Sequence, residues 1–355
     1  MEVFRFLLFP FALLYGLVTK VRNILFDTKI LPSAHFQTPI ISVGNLVAGG
    51  SGKTPMVEYI TRLISSNKSI AILSRGYKRK TKGYRLANDS DTSETLGDEP
   101  LQYHQKFSNV NVAVCESRKE GIKKLINAIQ PLDAVILDDA FQHRFVKPKL
   151  SILVTDYYKL FTKDWLLPYG MLREHISGRK RAEIIVVTKT PRIFSPIVRK
   201  QLLEEIKPYP GQLVCFSYIN YLPFVPVYPE RFNSSINPDN VYSIIMVTGI
   251  GNPGPMEEYL RRQCTDLELM EFADHHAFTS KELLLLSEKF KYLPTRRKII
   301  VTTEKDAKRL QNKEAIEILG DLPVFYTPIA FDFHPADKIL FDQAVNLSLG
   351  SSAKV

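Results

Sequence analysis

Short apolar runs rich in β-branched residues punctuate the first half of the chain, at 40–43, 69–73, 110–114, 134–137, 150–154 and 184–187. Between them, apolar residues recur at helical spacing. This alternation predicts a parallel sheet covered by helices on both faces. In such sheets ligands sit beyond the C-terminal ends of the strands. The chemically unusual residues gather there: Ser74-Arg75-Gly76 after one run, Glu116-Ser117-Arg118 after another, and "DDAFQH", 138–143, after a third. The pattern breaks at 205–240, where Pro208, Pro210, Pro223, Pro226, Pro229 and Pro238 suggest a linker with short extended pieces. A second α/β segment follows, with strands expected at 243–247, 299–301 and 322–326 and helices near 256–263 and 280–292.

The N-terminus departs from both patterns. "MEVFRFLLFPFALLYGLVTKVRN" is uncharged from Phe6 to Thr19, 14 residues, where a membrane-spanning helix needs about 20. Phe4, Leu7, Leu8, Phe11, Tyr15 and Val18 share one helical face, but other faces are apolar too. The expectation is a helix lying in one leaflet, with Lys20 and Arg22 at the headgroups. A buried core helix is the alternative. No small-residue cleavage site follows, which argues against a signal peptide.

Composition narrows the partners. The 355 residues carry 47 Lys+Arg against 37 Asp+Glu, a net charge of +10, which suits anionic ligands or an acidic membrane face. Neither zinc-finger spacing nor an RNP motif is present, so no nucleic-acid partner is expected. Cys115, Cys215 and Cys264 are far apart and suggest neither a metal cluster nor a disulfide framework, as in a reducing cytosol.

"VGNLVAGGSGKTPMVEYI", 43–60, places a glycine loop between a strand and a helix. That is the context of a phosphate-binding P-loop, although Val47 stands where the usual pattern has glycine. Gly49, Gly50, Ser51 and Gly52 would turn backbone N–H groups toward one anion. Lys53 would reach the β- and γ-phosphates of ATP, and the Thr54 hydroxyl would hold Mg2+. "AVILDDAFQH" resembles a Walker B strand, so Asp138 or Asp139 could serve the metal. "LGDEP" puts Asp98 and Glu99 before a helix, where acids also occur for helix-dipole reasons alone. "SRGYKRKTKGYR", 74–85, holds six basic residues among twelve and could meet an anionic substrate. "ADHHAF", 273–278, lacks a third metal ligand at a recognisable spacing, which leaves an acid–base role.

Together the stretches "SVGNLVAGGSGKTP", "LSRGY", "GDEP", "ESR", "LDDAFQH", "LLPYGMLRE", "FADHHAF" and "TTEKDAKR", spread over 42–309 in that order, resemble the tetraacyldisaccharide 4'-kinase family of Gram-negative bacteria. The off-pattern P-loop is part of the likeness. The resemblance implies transfer of the ATP γ-phosphate to the 4'-hydroxyl of an anionic lipid disaccharide, with Mg2+. It places the work at the cytoplasmic face of the inner membrane, by a peripheral or monotopic enzyme. It implies Asp98 as the base that takes the sugar proton and His275 as the residue that orients it. Asp138 goes with the metal, Asp139 and His143 with the nucleotide, and Arg75, Arg118 and Arg173 with the substrate. The expected layout is a membrane-associated helix at 1–24, a P-loop NTPase-like α/β kinase core at 25–204, a linker at 205–240, a smaller α/β domain at 241–335 and a C-terminal segment at 336–355. Without a small-molecule acceptor, the same motifs would suit a nucleotide switch or assembly ATPase at a membrane surface. A peripheral membrane protein with a structural nucleotide is a third reading.

Overall fold

The structure, a computed structural model, describes residues 6–231, 238, 240–274 and 276–350. The chain divides into two units, residues 1–219 with 331–355, and residues 220–330. Its strands are β1 (Ile40–Asn45), β2 (Ile70–Ser74), β3 (Arg85–Leu86), β4 (Asn111–Val114), β5 (Ala134–Leu137), β6 (Leu150–Asp156), β7 (Ile184–Thr188), β8 (Leu213–Tyr221), β9 (Val225–Pro226), β10 (Ser243–Thr248), β11 (Asp266–Glu271), β12 (Lys298–Thr303), β13 (Val324–Thr327) and β14 (Ile329–Phe333).

The first unit carries a nine-stranded sheet in the order β14-β8-β7-β6-β1-β5-β2-β4-β3. Its central strands are parallel, and β3 lies antiparallel on β4. Every residue of β1, β6 and β7 is buried. Helices cover both faces of such a sheet, so its strands read as continuous apolar runs rather than alternating ones. β1 pairs with β5 on one side and β6 on the other. The chain therefore winds away from β1 in opposite directions, and a crevice opens at its C-terminal end.

Two expectations about the layout need correction. The stretch expected as a linker contains β8, a nine-residue strand beside β7. "LVCFSYINY" is rich in β-branched and aromatic residues, and the prolines flank it rather than interrupt it. The C-terminal segment is not separate either, because residues 331–350 return to the first unit. Phe331, Phe333, Phe341 and Val345 enter the same core as Ile41 and Met56. Tyr59, on the helix Lys53–Ile64, meets the Phe331, Phe333 and Phe341 rings edge-on at 5.9, 5.0 and 5.8 Å. Buried Asp337 takes both arms of Arg199 at 2.6 Å. Contacts at such sequence separation leave no local pattern.

The helix Phe9–Asp27 is 19 residues long, and by length and composition it could cross a membrane. The uncharged stretch alone is shorter, but the helix continues through Lys20 and Arg22. Only Ala12 and Phe26 are buried, whereas Phe11, Leu13, Leu14, Leu17, Val18 and Val21 are exposed. A core helix would be largely covered, so that alternative fails.

The second unit is a five-stranded sheet, β11-β10-β12-β13-β9, with β10 to β13 parallel and β9 antiparallel at its edge. Strands β10, β12 and β13 and the helix Ser280–Tyr292 fall within a few residues of expectation. The edge strand β11 was not foreseen. Its acidic "DLELME" is buried only at Met270 and lacks the apolar run of a central strand.

Candidate active site

The loop after β1 is held open by its neighbours. Asn45, fully buried at the end of β1, donates from Nδ2 to the Val47 carbonyl at 2.5 Å and the Ser51 Oγ at 2.8 Å. Thr188 Oγ1 donates to the Ser51 carbonyl at 2.8 Å. Lys189 Nζ donates to the Gly50 carbonyl and to Asp156, both at 2.6 Å. Loop carbonyls are thereby tied to the scaffold, and the first-turn N–H groups of the helix Lys53–Ile64 remain for an anion. Gly49 and Gly52 have φ of 115° and 87°, which a side chain would strain. Val47 is explained as well. It bridges Leu172 in extended antiparallel fashion, while Ala48 N–H donates to the Met171 carbonyl at 2.8 Å. No positive φ is needed there, so no glycine is needed.

The strand end of β5 delivers the acids. Gly44 lets this loop close onto β1, since a Cβ there would lie 2.6 Å from the Phe141 nitrogen. Asp139 faces Lys53 Nζ at 3.7 Å and accepts both 2.8 and 3.0 Å hydrogen bonds from Arg173. Burial alone would raise the Asp139 carboxyl, but Lys53 and Arg173 beside it hold it below its ordinary value. Asp138 is fully buried. One of its oxygens accepts from Ser74 Oγ at 3.3 Å, and the other, Oδ1, has no hydrogen-bond partner. Burial first, then the nearby Glu99 and Asp139 carboxylates, push its carboxyl up. Thr54 Oγ1 donates to Glu99 at 2.8 Å.

An orphaned buried carboxylate oxygen, a second carboxylate repelling it and a hydroxyl bonded to that second carboxylate form a hard, oxygen-only donor set. That set fits Mg2+, which commonly takes one or two protein carboxylates and completes its shell from water and phosphate. Among the described residues no group of three or more His, Cys, Asp or Glu could hold a metal by itself. The donor set would therefore depend on such outside ligands.

The other expected residues fall in distinct places. Arg75 is exposed at the end of β2, on the rim of the crevice. Arg118, expected at the substrate, is buried and donates to the Cys115 and Asp138 carbonyls at 2.7 and 3.0 Å, so it braces the strand end that carries Asp138. Burial pushes its guanidinium down to about 10, so it stays charged at neutral pH. Arg173, expected at the substrate, places its Nη1 on Asp139. Burial, aided by Arg118 and Arg75, pushes the His143 imidazole down to about 4, so it is neutral. Asp98 is exposed on the first turn of the helix Asp98–Lys106. His275 lies outside the described residues. Its neighbour His276 stacks on Phe272 at 4.7 Å and meets Glu282 at 2.9 Å.

Sequence reasoning weighed Glu99 only as a helix-start acid, and it missed Asn45, Thr188 and Lys189 altogether. For Glu99 the signal was present, since it adjoins Asp98 in "GDEP". The other three contribute through loop contacts that local sequence does not reveal.

A family described as tetraacyldisaccharide-1-P 4'-kinase, LpxK, matches residues 4–346. A tetraacyldisaccharide 4'-kinase of Bacteroides thetaiotaomicron is 44% identical over 312 residues, 85% of this chain and 82% of its own. That of Flavobacterium psychrophilum is 42% identical over 348 residues, 98% and 97% of the two chains. The crystal structure of LpxK from Aquifex aeolicus in complex with ATP superposes with a TM-score of 0.71 at 28% identity, over 98% of this chain and 99% of that one.

Proposed function

Because the chain belongs to the tetraacyldisaccharide 4'-kinase family, we propose that it transfers the γ-phosphate of ATP to the 4'-hydroxyl of a tetraacyldisaccharide 1-phosphate. It is an ATP-dependent lipid kinase of lipid A biosynthesis. The observation that carries this reading in the structure is the pairing of Lys53 with Asp139 next to a glycine loop whose carbonyls are tied away.

Phosphoryl transfer needs positioning and charge neutralisation more than covalent chemistry. The loop N–H groups and Lys53 bind the phosphates, and Asp139 with Arg173 holds the Lys53 ammonium in place. Thr54, Glu99 and Asp138 would hold Mg2+, which when bound offsets phosphate charge. A sugar hydroxyl is a weak nucleophile, so a base must accept its proton. Asp98 is assigned that role. Its exposure and its place beside Glu99 support the assignment. The exposed apolar N-terminal helix supports a monotopic attachment at the cytoplasmic face of the inner membrane, where an acylated acceptor resides.

Transfer of label from γ-labelled ATP to a purified tetraacyldisaccharide 1-phosphate in mixed micelles is the direct test. Labelled 4'-phosphorylated lipid is expected. Hydrolysis of ATP that ignores the lipid and responds only to a protein partner would instead make the chain a nucleotide switch.

A further inference from the structure

The N-terminal helix is not the only apolar surface on its side of the first unit. The loop between β6 and β7 carries Trp165, 61% exposed, and Met171, 44% exposed. Phe9 of the helix meets the Trp165 ring at 6.2 Å and the Tyr169 ring at 5.6 Å, both edge-on. Trp165 and Tyr169 lie edge-on to each other at 5.8 Å, and Phe6 extends the cluster to Tyr169 at 6.4 Å. The Leu166 side chain packs onto the helix backbone, since a Cβ on Gly16 would lie 2.6 Å from Leu166 Cδ1. Exposed Lys20 and Lys163 lie on the same two segments, Lys163 within 3.2 Å of the Glu205 carboxylate. Tryptophan and tyrosine, each with an apolar body and a polar tip, are the residues enriched at headgroup depth, and lysines beside them suit anionic lipid. An exposed aromatic cluster of this kind is unfavourable in water alone. Because it is continuous with the exposed face of the helix, the occupant that covers one covers the other.

The far end of the same loop is the nucleotide site. Met171 and Leu172 pair with Val47 and Ala48, and Arg173 N–H donates to the Leu46 carbonyl at 2.7 Å. Tyr15 of the helix donates to the Arg173 carbonyl at 2.6 Å. Hence the segment that would touch lipid is covalently continuous with the one that pairs with the phosphate loop.

We propose that residues 165–171 enter the headgroup layer of a phospholipid bilayer beside the N-terminal helix, as the second arm of one docking surface, and set the height of the phosphate loop above the membrane. This rests on the membrane reading of the helix given above. Trp165 is the sole tryptophan of the chain, so intrinsic fluorescence reports this loop alone. The experiment adds vesicles of phosphatidylethanolamine and phosphatidylglycerol to the full-length protein. Sedimentation measures binding, and lipids brominated near the headgroup measure Trp165 depth. Co-sedimentation with a blue-shifted, bromine-quenched emission is expected. Trp165→Ser should weaken vesicle partition roughly tenfold, the low end of the scale for losing one buried aromatic, with turnover of a detergent-solubilised acceptor retained. Co-sedimentation with unshifted, unquenched emission would overturn the loop insertion and leave the helix reading intact. Failure to sediment would overturn the helix reading itself, and the inference with it.

Discussion

Glu99→Gln is the change that most sharply separates adjacent roles in the site. The amide keeps an oxygen to accept the Thr54 hydroxyl, which Glu99 now accepts at 2.8 Å. It removes one negative charge beside Asp138, where Glu99 is the leading charged neighbour. A carboxylate and a single positive charge about 4 Å apart, at an effective dielectric of about 20, attract by about 4 kcal/mol, a lower bound for divalent Mg2+. Partial exposure of Glu99 discounts this to about 3 kcal/mol, roughly a hundredfold in rate. The expected outcome is a kcat lowered roughly 10²-fold and an Mg2+ requirement shifted to higher concentration. The assay is labelled phosphate transfer to the lipid acceptor over a magnesium titration, beside the same titration for Asp98→Asn. If Asp98 is the base, its variant should lose roughly 10²- to 10⁴-fold in kcat with the magnesium dependence unchanged. A Glu99→Gln enzyme with wild-type magnesium dependence would refute the metal assignment. A magnesium shift in Asp98→Asn would show that the roles of the two acids had been exchanged.

Lys53→Ala should cost roughly 10²-fold or more in turnover while the circular dichroism spectrum stays native, because a charge beside the transferred phosphate is lost; activity above about a tenth of wild type would count against the loop. Gly44→Ala should lower stability by about 1–3 kcal/mol, seen as a lower Tm, because its Cβ would meet the Phe141 backbone at 2.6 Å; an unchanged Tm would mean the 138–143 loop can move away freely. His143, held near 4 by burial against 6.5 in the unfolded chain, leaves the folded state with fewer bound protons between those values, so stability should fall as pH drops through that window. Urea unfolding at pH 7 and pH 5 should therefore show a smaller loss for His143→Gln than for wild type; equal losses would remove His143 as the cause. Cys215, its thiol pushed up to about 12 first by burial and then by Asp337, should resist alkylation at pH 8 in the native protein and react on unfolding.

Local sequence determined the parts of this protein that depend on near neighbours. Apolar runs marked β1, β2 and β4 to β7, because strands covered on both faces must be apolar throughout. Glycines followed by Lys53 and Thr54 marked the phosphate loop, because its φ angles and its helix start are set within a few residues. Adjacent acids marked Asp138 and Asp139, but not their division of labour. Tertiary structure set their different surroundings, by placing Lys53 and Arg173 on Asp139 and burying Asp138 with an unpaired oxygen. It also decided that Glu99 takes the Thr54 hydroxyl, that Arg118 donates to the Asp138 carbonyl, and that Phe331, Phe333 and Phe341 close the first unit's core. Those outcomes depend on residues tens to hundreds of positions apart meeting at one strand end or in one core. Hydrophobic period and motif spacing carry no record of such meetings, because burial and pairing arise only once the sheet has set which strands are neighbours.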